Sequence, residues 1–357
     1  MKAPATNVAG IVVGSVVVVA VVALAEAFLQ DGPGGSLLLS VAFWLALAEG
    51  AIALVAAAEV ARGTWHHDIK ATLLSAYPMI PVIAALFIAF IPQMGVYPWW
   101  GSPHFWAQKW LFIARHFVWM MLTFLIARRF AREALRGTDA SRRWGVFYLL
   151  FFALGQTLVG LEWVMSLEKP WFSTLFGAYF IVEAFQSGIA VAAVVLLFLR
   201  DPPRGDEKWR FAQKSVAGLL FGISIFWAYL YFTQMIVIWY GNLPEEVAYL
   251  ARRIGYHTPY WALARVILGM CWVLPFVVLM PKRAKLNPRL VVPMAVIILA
   301  GYFLEKWLMI GPAVRVGVAP LVVETVALGL LLVLMMRSGR HTLPAETPGR
   351  LAAAEGR

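Results

Sequence analysis

Charge is what this chain has least of: 14% of its 357 residues are Asp, Glu, Lys or Arg, against 62% hydrophobic. A soluble globular surface takes about 25% charged residues. A water-soluble fold is therefore excluded, and lipid is the main solvent. Cysteine is almost missing. The one thiol, Cys271, lies in an apolar run, which excludes internal disulfides, Cys-ligated iron-sulfur clusters, a Cys-rich zinc site and a C-x-x-C-H haem attachment. Histidine is scarce as well, with six in the chain. A b-type haem needs two axial ligands facing each other inside a helix bundle. Only His116 lies well within an apolar stretch; His66 and His67 close the second stretch, His104 and His257 fall in loops and His341 in the tail. Walker A, H-E-x-x-H and G-x-S-x-G patterns are absent, which removes P-loop, zincin and α/β-hydrolase chemistry. Any redox centre serving this chain is expected to be borrowed from a partner or bound through other groups.

What remains is long apolar runs. A crossing needs about 20 mainly apolar residues. Ten stretches qualify, at roughly 8–29, 36–60, 72–93, 106–131, 145–168, 172–199, 211–240, 258–280, 290–311 and 314–337. They predict an all-α polytopic membrane protein: a ten-helix transmembrane domain over residues 1–337 and a polar tail over 338–357. The first run ends in Ala23-Leu24-Ala25, which mimics a signal-peptidase site, but only Lys2 stands in the preceding n-region. It is expected to stay as a membrane helix.

Twenty-two of the 30 Lys and Arg residues fall at one set of alternate loops and the termini, with Arg128, Arg129, Arg132, Arg136, Arg142 and Arg143 the densest group. The positive-inside rule then makes both termini cytoplasmic. This asymmetry accounts for the net charge of +11 without nucleic acid as a partner. The opposite loops are aromatic, with Trp99, Trp100 and Trp106, and the longest holds Glu245, Glu246, Arg252 and Arg253. An interfacial aromatic belt and a docking surface for an external partner both fit them.

Ionisable residues at membrane depth are costly, so they pair or line wet cavities. Here they are Glu26, Glu49, Glu59, Arg115, His116, Glu162, Glu183, Arg265, Glu305, Lys306 and Glu324. Arg115, His116, Glu162 and Arg265 form the candidate cluster for a quinone head group, which needs donors and acceptors for two oxygens; the same groups serve equally to lock helices together. Glu49, Glu59, Glu183 and Gln186 form a candidate proton path. Glu183 and Gln186, three apart, share a helical face.

Two segments are more specific. One is Glu162-Trp163-Val164-Met165-Ser166-Leu167-Glu168, continuing Lys169-Pro170-Trp171-Phe172-Ser173-Thr174-Leu175-Phe176-Gly177. The other is Gln234-Met235-Ile236-Val237-Ile238-Trp239-Tyr240-Gly241-Asn242-Leu243-Pro244-Glu245-Glu246. Together they resemble the corresponding stretches of the NrfD-like membrane subunits of bacterial alternative complex III, in particular the second, ActF-type subunit. Glu162 stands where that pattern usually has Asp, and Glu168-Lys169 replaces an Asp-Pro-His-like run. The resemblance implies two four-helix bundles between peripheral first and last helices. It also implies a cofactor-free subunit of a quinol:cytochrome c (or other acceptor) oxidoreductase in the bacterial inner membrane, with menaquinol or another quinol as reductant. Haem c and iron-sulfur clusters then reside in partners: a sister NrfD-like subunit, an iron-sulfur subunit and multihaem cytochrome c subunits. Two other expectations compete with this one. The first is a quinone-reactive NrfD-type subunit of a molybdopterin or polysulfide-reductase-like enzyme. The second is a free-standing secondary transporter, for which Pro78, Pro81 and Pro275 allow kinks but no paired repeat is evident.

Overall fold

The computed structural model describes residues 8–29, 34–198 and 207–342, and every regular element among them is helical. The helices are α1 Val8–Leu29, α2 Gly35–Val60, α3 His67–Leu74, α4 Met79–Phe90, α5 Lys109–Arg136, α6 Ala140–Leu158, α7 Leu175–Phe198, α8 Glu207–Gly241, α9 Pro244–Ile254, α10 Trp261–Leu268, α11 Leu274–Leu279, α12 Pro288–Ile310 and α13 Val318–Thr342. They make ten segments long and apolar enough to cross a membrane, as the hydropathic runs predict. Seven segments are single helices; α3 and α4 share one, α6 continues into another, and α10 and α11 share a third.

Chemistry within each run decides its place. In α2, wholly buried over its most apolar stretch, alanines and glycines let neighbouring backbones come close. The Val-rich α1 is only 17% buried over the equivalent stretch and turns its branched side chains outward. α2 packs against α4, α6, α7, α12 and α13, while α1 pairs with α13 at the periphery. α2, α4, α5 and α6 contact one another in sequence, as do α7, α8, the α10–α11 segment and α12. The closest approach is the crossing of α2 with α7, where Gly50 faces Ala184 and Gly188 faces the Gly50 carbonyl.

Local breaks follow proline and irregular helical turns. Pro78 immediately precedes α4 and Pro81 lies in its first turn, so the chain turns between α3 and α4 rather than running straight. α6 passes into a π-helical segment, Val159–Val164, and then a 3-10 turn, Met165–Glu168. A second π segment, Gly269–Val273, joins α10 to α11, with Pro275 in the first turn of α11. Each π segment adds a residue to the turn and rotates the side chains beyond it.

Two boundaries differ from the hydropathic reading. The third segment begins at His67, because α3 is amphipathic and its polar face hides it from a hydropathy window. α13 runs to Thr342, so residues 338–342 of the expected tail are helical; residues 343–357 lie outside the described residues. The loop expected over 241–257 is largely the short amphipathic α9. Pro244 opens it, Glu245 and Glu246 fill its first turn and Arg252 and Arg253 its last. This arrangement suits proline's fixed φ and the helix dipole.

Candidate functional site

Because the segments alternate, the ends of α1, α4, α6, α8 and α12 meet the starts of α2, α5, α7, α10 and α13 at one end of the molecule, where the Trp-rich loops lie. Here this is the aromatic end; the Arg-rich loops form the basic end. The buried polar side chains fall into separate groups between them.

The first group joins α5 to the π segment after α6. The Arg115 guanidinium grips Glu162 through two nitrogens, Nε at 2.8 Å from Oε2. Its Nη1 donates to the Trp106 carbonyl at 2.8 Å, and the Trp106 indole donates to Glu162 Oε1 at 3.0 Å. His116 places Nε2 3.4 Å from Glu162 Oε2, while its Nδ1 lies 2.8 Å from the Phe112 carbonyl. The neighbouring phenol of Tyr97 donates to the Trp163 carbonyl at 3.0 Å. Burial, reinforced by the Glu162 charge, pushes that phenol's pKa up, so it stays protonated. Three of the four residues in the predicted quinone-head cluster therefore meet. Arg265 does not join them: its guanidinium stacks on Trp261, one turn earlier on its own helix, 3.2 Å from the ring centroid. That local cation–π contact satisfies it on α10, which packs against α9, the second π segment and α12.

The second group lies between α7 and α12. Lys306 pairs with Glu183, both almost fully buried. Tyr179 donates to Glu305 Oε1, and Tyr302 donates to Gln186 Oε1. Gln186 Nε2 reaches the Leu220 carbonyl at 3.4 Å. Tyr179 and Tyr302 are absent from the sequence-predicted site, yet a signal was there. Residues 179, 183 and 186 follow i, i+4, i+7 on α7, and 302, 305 and 306 cluster on one face of α12.

Glu49 precedes Gly50, whose crossing with Ala184 and Gly188 puts it at a depth comparable to that of Glu183 and Gln186 on α7. Gln156 donates to Glu49 Oε2 at 2.7 Å, and the Tyr148 phenol donates to the Glu49 carbonyl at 3.0 Å. Glu59 sits near the basic end, with His66 Nε2 at 3.0 Å, Lys70 Nζ at 3.3 Å and Ser141 donating at 3.3 Å. The four residues of the predicted proton path thus occupy three hydrogen-bonded groups rather than one. Near the aromatic end, Ser36 and Gln93 donate to Glu26, and Ser40 donates to Glu324. Among the described residues no group of three or more His, Cys, Asp and Glu side chains is arranged to hold a metal ion.

A further group fastens α9. Glu168, at the end of the sixth helix's 3-10 extension, accepts from Arg252 at 2.9 Å and from Arg253 at 2.8 Å. Arg253 also donates to the carbonyls of Met309, at 2.7 Å, and Tyr249, at 3.2 Å. The Tyr249 ring stacks on Trp171 with centroids 3.5 Å apart. Burial pushes the Tyr249 phenol's pKa up, with the adjacent Arg253 charge offsetting part of the rise. Behind α9 a cavity opens between α7, α8 and α12. Replacing Glu168 with Ala removes both carboxylate contacts, and α9 is expected to detach. Trypsin cleavage after Arg252 and Arg253 should then accelerate at least tenfold, as read by peptide mapping; an unchanged rate would show that packing alone holds the helix.

No protein-family model matches the sequence, and no curated protein matches it.

Proposed function

We propose that this chain is an ActF-like subunit of a bacterial alternative complex III, a quinol:cytochrome c (or other acceptor) oxidoreductase of the inner membrane. On this reading both termini face the cytoplasm, where the basic end lies. The chain anchors the complex and contributes a proton path, while quinol oxidation takes place largely in the sister NrfD-like subunit. The two successive sets of four packed segments, flanked by the α1–α13 pair, support the NrfD-like arrangement.

The observation that carries the proposal is the file of buried polar groups along α2, α7 and α12. From the basic end it runs from Glu59 to the level where Glu49 with Gln156 stands beside the part of α7 that carries Gln186 with Tyr302 and Glu183 with Lys306, and then to Glu305 with Tyr179. Ionisable groups buried at membrane depth mark proton relays in pumps and transporters, and carboxylates interspersed with amide and phenol groups suit that role. Glu59 and Glu49 are ten residues apart, about 15 Å along α2, so water must bridge that step. Replacing Glu183 with Gln keeps an acceptor for Lys306 but removes the titrating group. In the intact complex it is expected to lower proton translocation at least tenfold and electron transfer less than twofold. Equal loss of both would assign Glu183 a structural role.

A second reading rests on the Arg115–His116–Glu162 group, whose donors and acceptor suit a quinone head: the chain is then itself the quinone-reactive NrfD-type subunit of a molybdopterin or polysulfide-reductase-like enzyme. Mass spectrometry of the intact purified complex separates the two, since multihaem cytochromes accompany the chain in the first and a molybdopterin subunit in the second.

A further inference from the structure

The arginine-dense hairpin of α5 and α6 takes no part in either reading above. Between residues 128 and 143 it carries six arginines against Glu133 and Asp139, and none of the six stands in the connecting turn: Arg128, Arg129, Arg132 and Arg136 close α5, and Arg142 and Arg143 open α6. All six are exposed. Of these, only Arg129 has an acidic partner among the described residues, Glu133 at 3.0 Å, and that carboxylate also accepts from Thr138. The positive-inside rule asks for positive charge at this end of the segments. It does not ask for that charge to lie on one face.

One face is where it lies. On α5 the exposed residues Val118, Leu122, Leu125, Arg129, Arg132 and Arg136 follow one another at spacings of four and three, the stripe of a single helical surface. On α6 Arg143, Phe147, Leu150 and Leu154 do the same. Large exposed apolar side chains in a membrane segment face lipid, so in each helix the lipid-facing stripe itself turns cationic where it reaches the basic end. α5 packs against α6, and the Arg129 guanidinium lies 5.8 Å from the Trp144 ring centroid, so the two stripes adjoin. The hairpin thus presents an apolar track crowned by guanidinium groups, with an indole at the boundary, the level that tryptophan favours in a membrane.

This arrangement selects its ligand. A soluble anion has no use for the apolar track, and a zwitterionic lipid brings its own cation to its phosphate. A lipid with a net negative phosphodiester matches both parts, its acyl chains against the leucine and phenylalanine side chains and its phosphate oxygens in the planar fork of arginine, which holds phosphate bidentately. We propose that the joint face of α5 and α6 at the basic end binds an anionic phospholipid, with arginines from both helices on its phosphodiester and its chains along Leu125 and Phe147. Anionic lipids populate the cytoplasmic leaflet, where the positive-inside rule puts this end. The inference stands whichever complex the chain serves, because it uses only the composition of this surface.

The test is photocrosslinking of the full chain in nanodiscs that contain, at equal mole fraction, phosphatidylglycerol or phosphatidylcholine with a diazirine on one acyl chain, the labelled peptides being mapped by mass spectrometry. Label at residues 118–125 and 147–154 is expected to be at least fivefold higher with phosphatidylglycerol. Arg132→Gln combined with Arg143→Gln should remove most of that excess and leave the phosphatidylcholine label as it is, which also shows the variant to be folded. Arg283→Gln, at the same end but off this hairpin, should change nothing. Inorganic phosphate at matched ionic strength should not displace the lipid. Equal label with the two lipids, an unaltered excess in the double variant, an equal drop in Arg283→Gln, or displacement by phosphate would each overturn the inference. So would an excess that vanishes in the intact complex, where an acidic protein surface would then cover this face.

Discussion

Replacing Lys306 with Met is expected to lower the stability of the folded chain by about 3–5 kcal/mol, the usual cost of removing one partner from a buried ion pair. The side chains of Lys306 and Glu183 are 0% and 1% exposed, so water cannot take over for the partner left behind. Lys306 also lies over the Phe180 ring, 3.5 Å from its centroid, and the substitution forfeits that contact. The check is thermal unfolding in detergent followed by tryptophan fluorescence. A double variant, Lys306→Met with Glu183→Gln, should recover at least half of the loss, because it buries a neutral amide instead of a lone carboxylate. Equal losses in the single and double variants would mean that the pair is solvated in the folded protein.

Gly188→Val is expected to be as damaging for a purely steric reason. At the crossing of α2 with α7, a β-carbon on Gly188 would overlap the Gly50 backbone, and one on Gly50 would overlap the Ala184 carbonyl. No rotamer relieves a clash with backbone, so the two helices must separate, and α2 loses packing over its middle turns. A loss of more than about 3 kcal/mol follows, beyond ordinary overpacking of a core. The measurement is the yield of monodisperse protein in mild detergent, with Gly218→Val as a control, since a β-carbon there meets nothing within 4 Å. Equal yields for the two variants would show that the crossing tolerates separation.

These two sites illustrate how much of the molecule was legible in the sequence. Hydropathy located all ten segments, because a run of apolar residues long enough to cross lipid is a local property. Helical spacing also placed Glu183 and Gln186 on one face. Partner choice is not local: Glu183 meets Lys306 across 123 positions, and Glu168 meets Arg253 across 85. A spacing rule can say that a residue faces inward but not which helix it meets there. Arg265 shows the converse, since a neighbour one turn away on its own helix satisfies it and overrides a grouping based on depth alone. Glu162 was identified as a site residue, but the π segment that aims it at Arg115 leaves no mark in hydropathy. The α9 helix was within reach: Pro244, the acidic first turn and the basic last turn together mark a helix start and stop.

The enclosure of α2 bears on how the protein responds to its surroundings. Bilayers built from longer or shorter acyl chains press on whichever surfaces touch them, and α1, 17% buried over its most apolar stretch, is the segment most open to that pressure. Sheathed on every side by its neighbours, α2 feels thickness only second-hand. Hydrophobic mismatch will therefore tilt the rim of the molecule first, while the axis that carries Glu49 and Glu59 keeps its register.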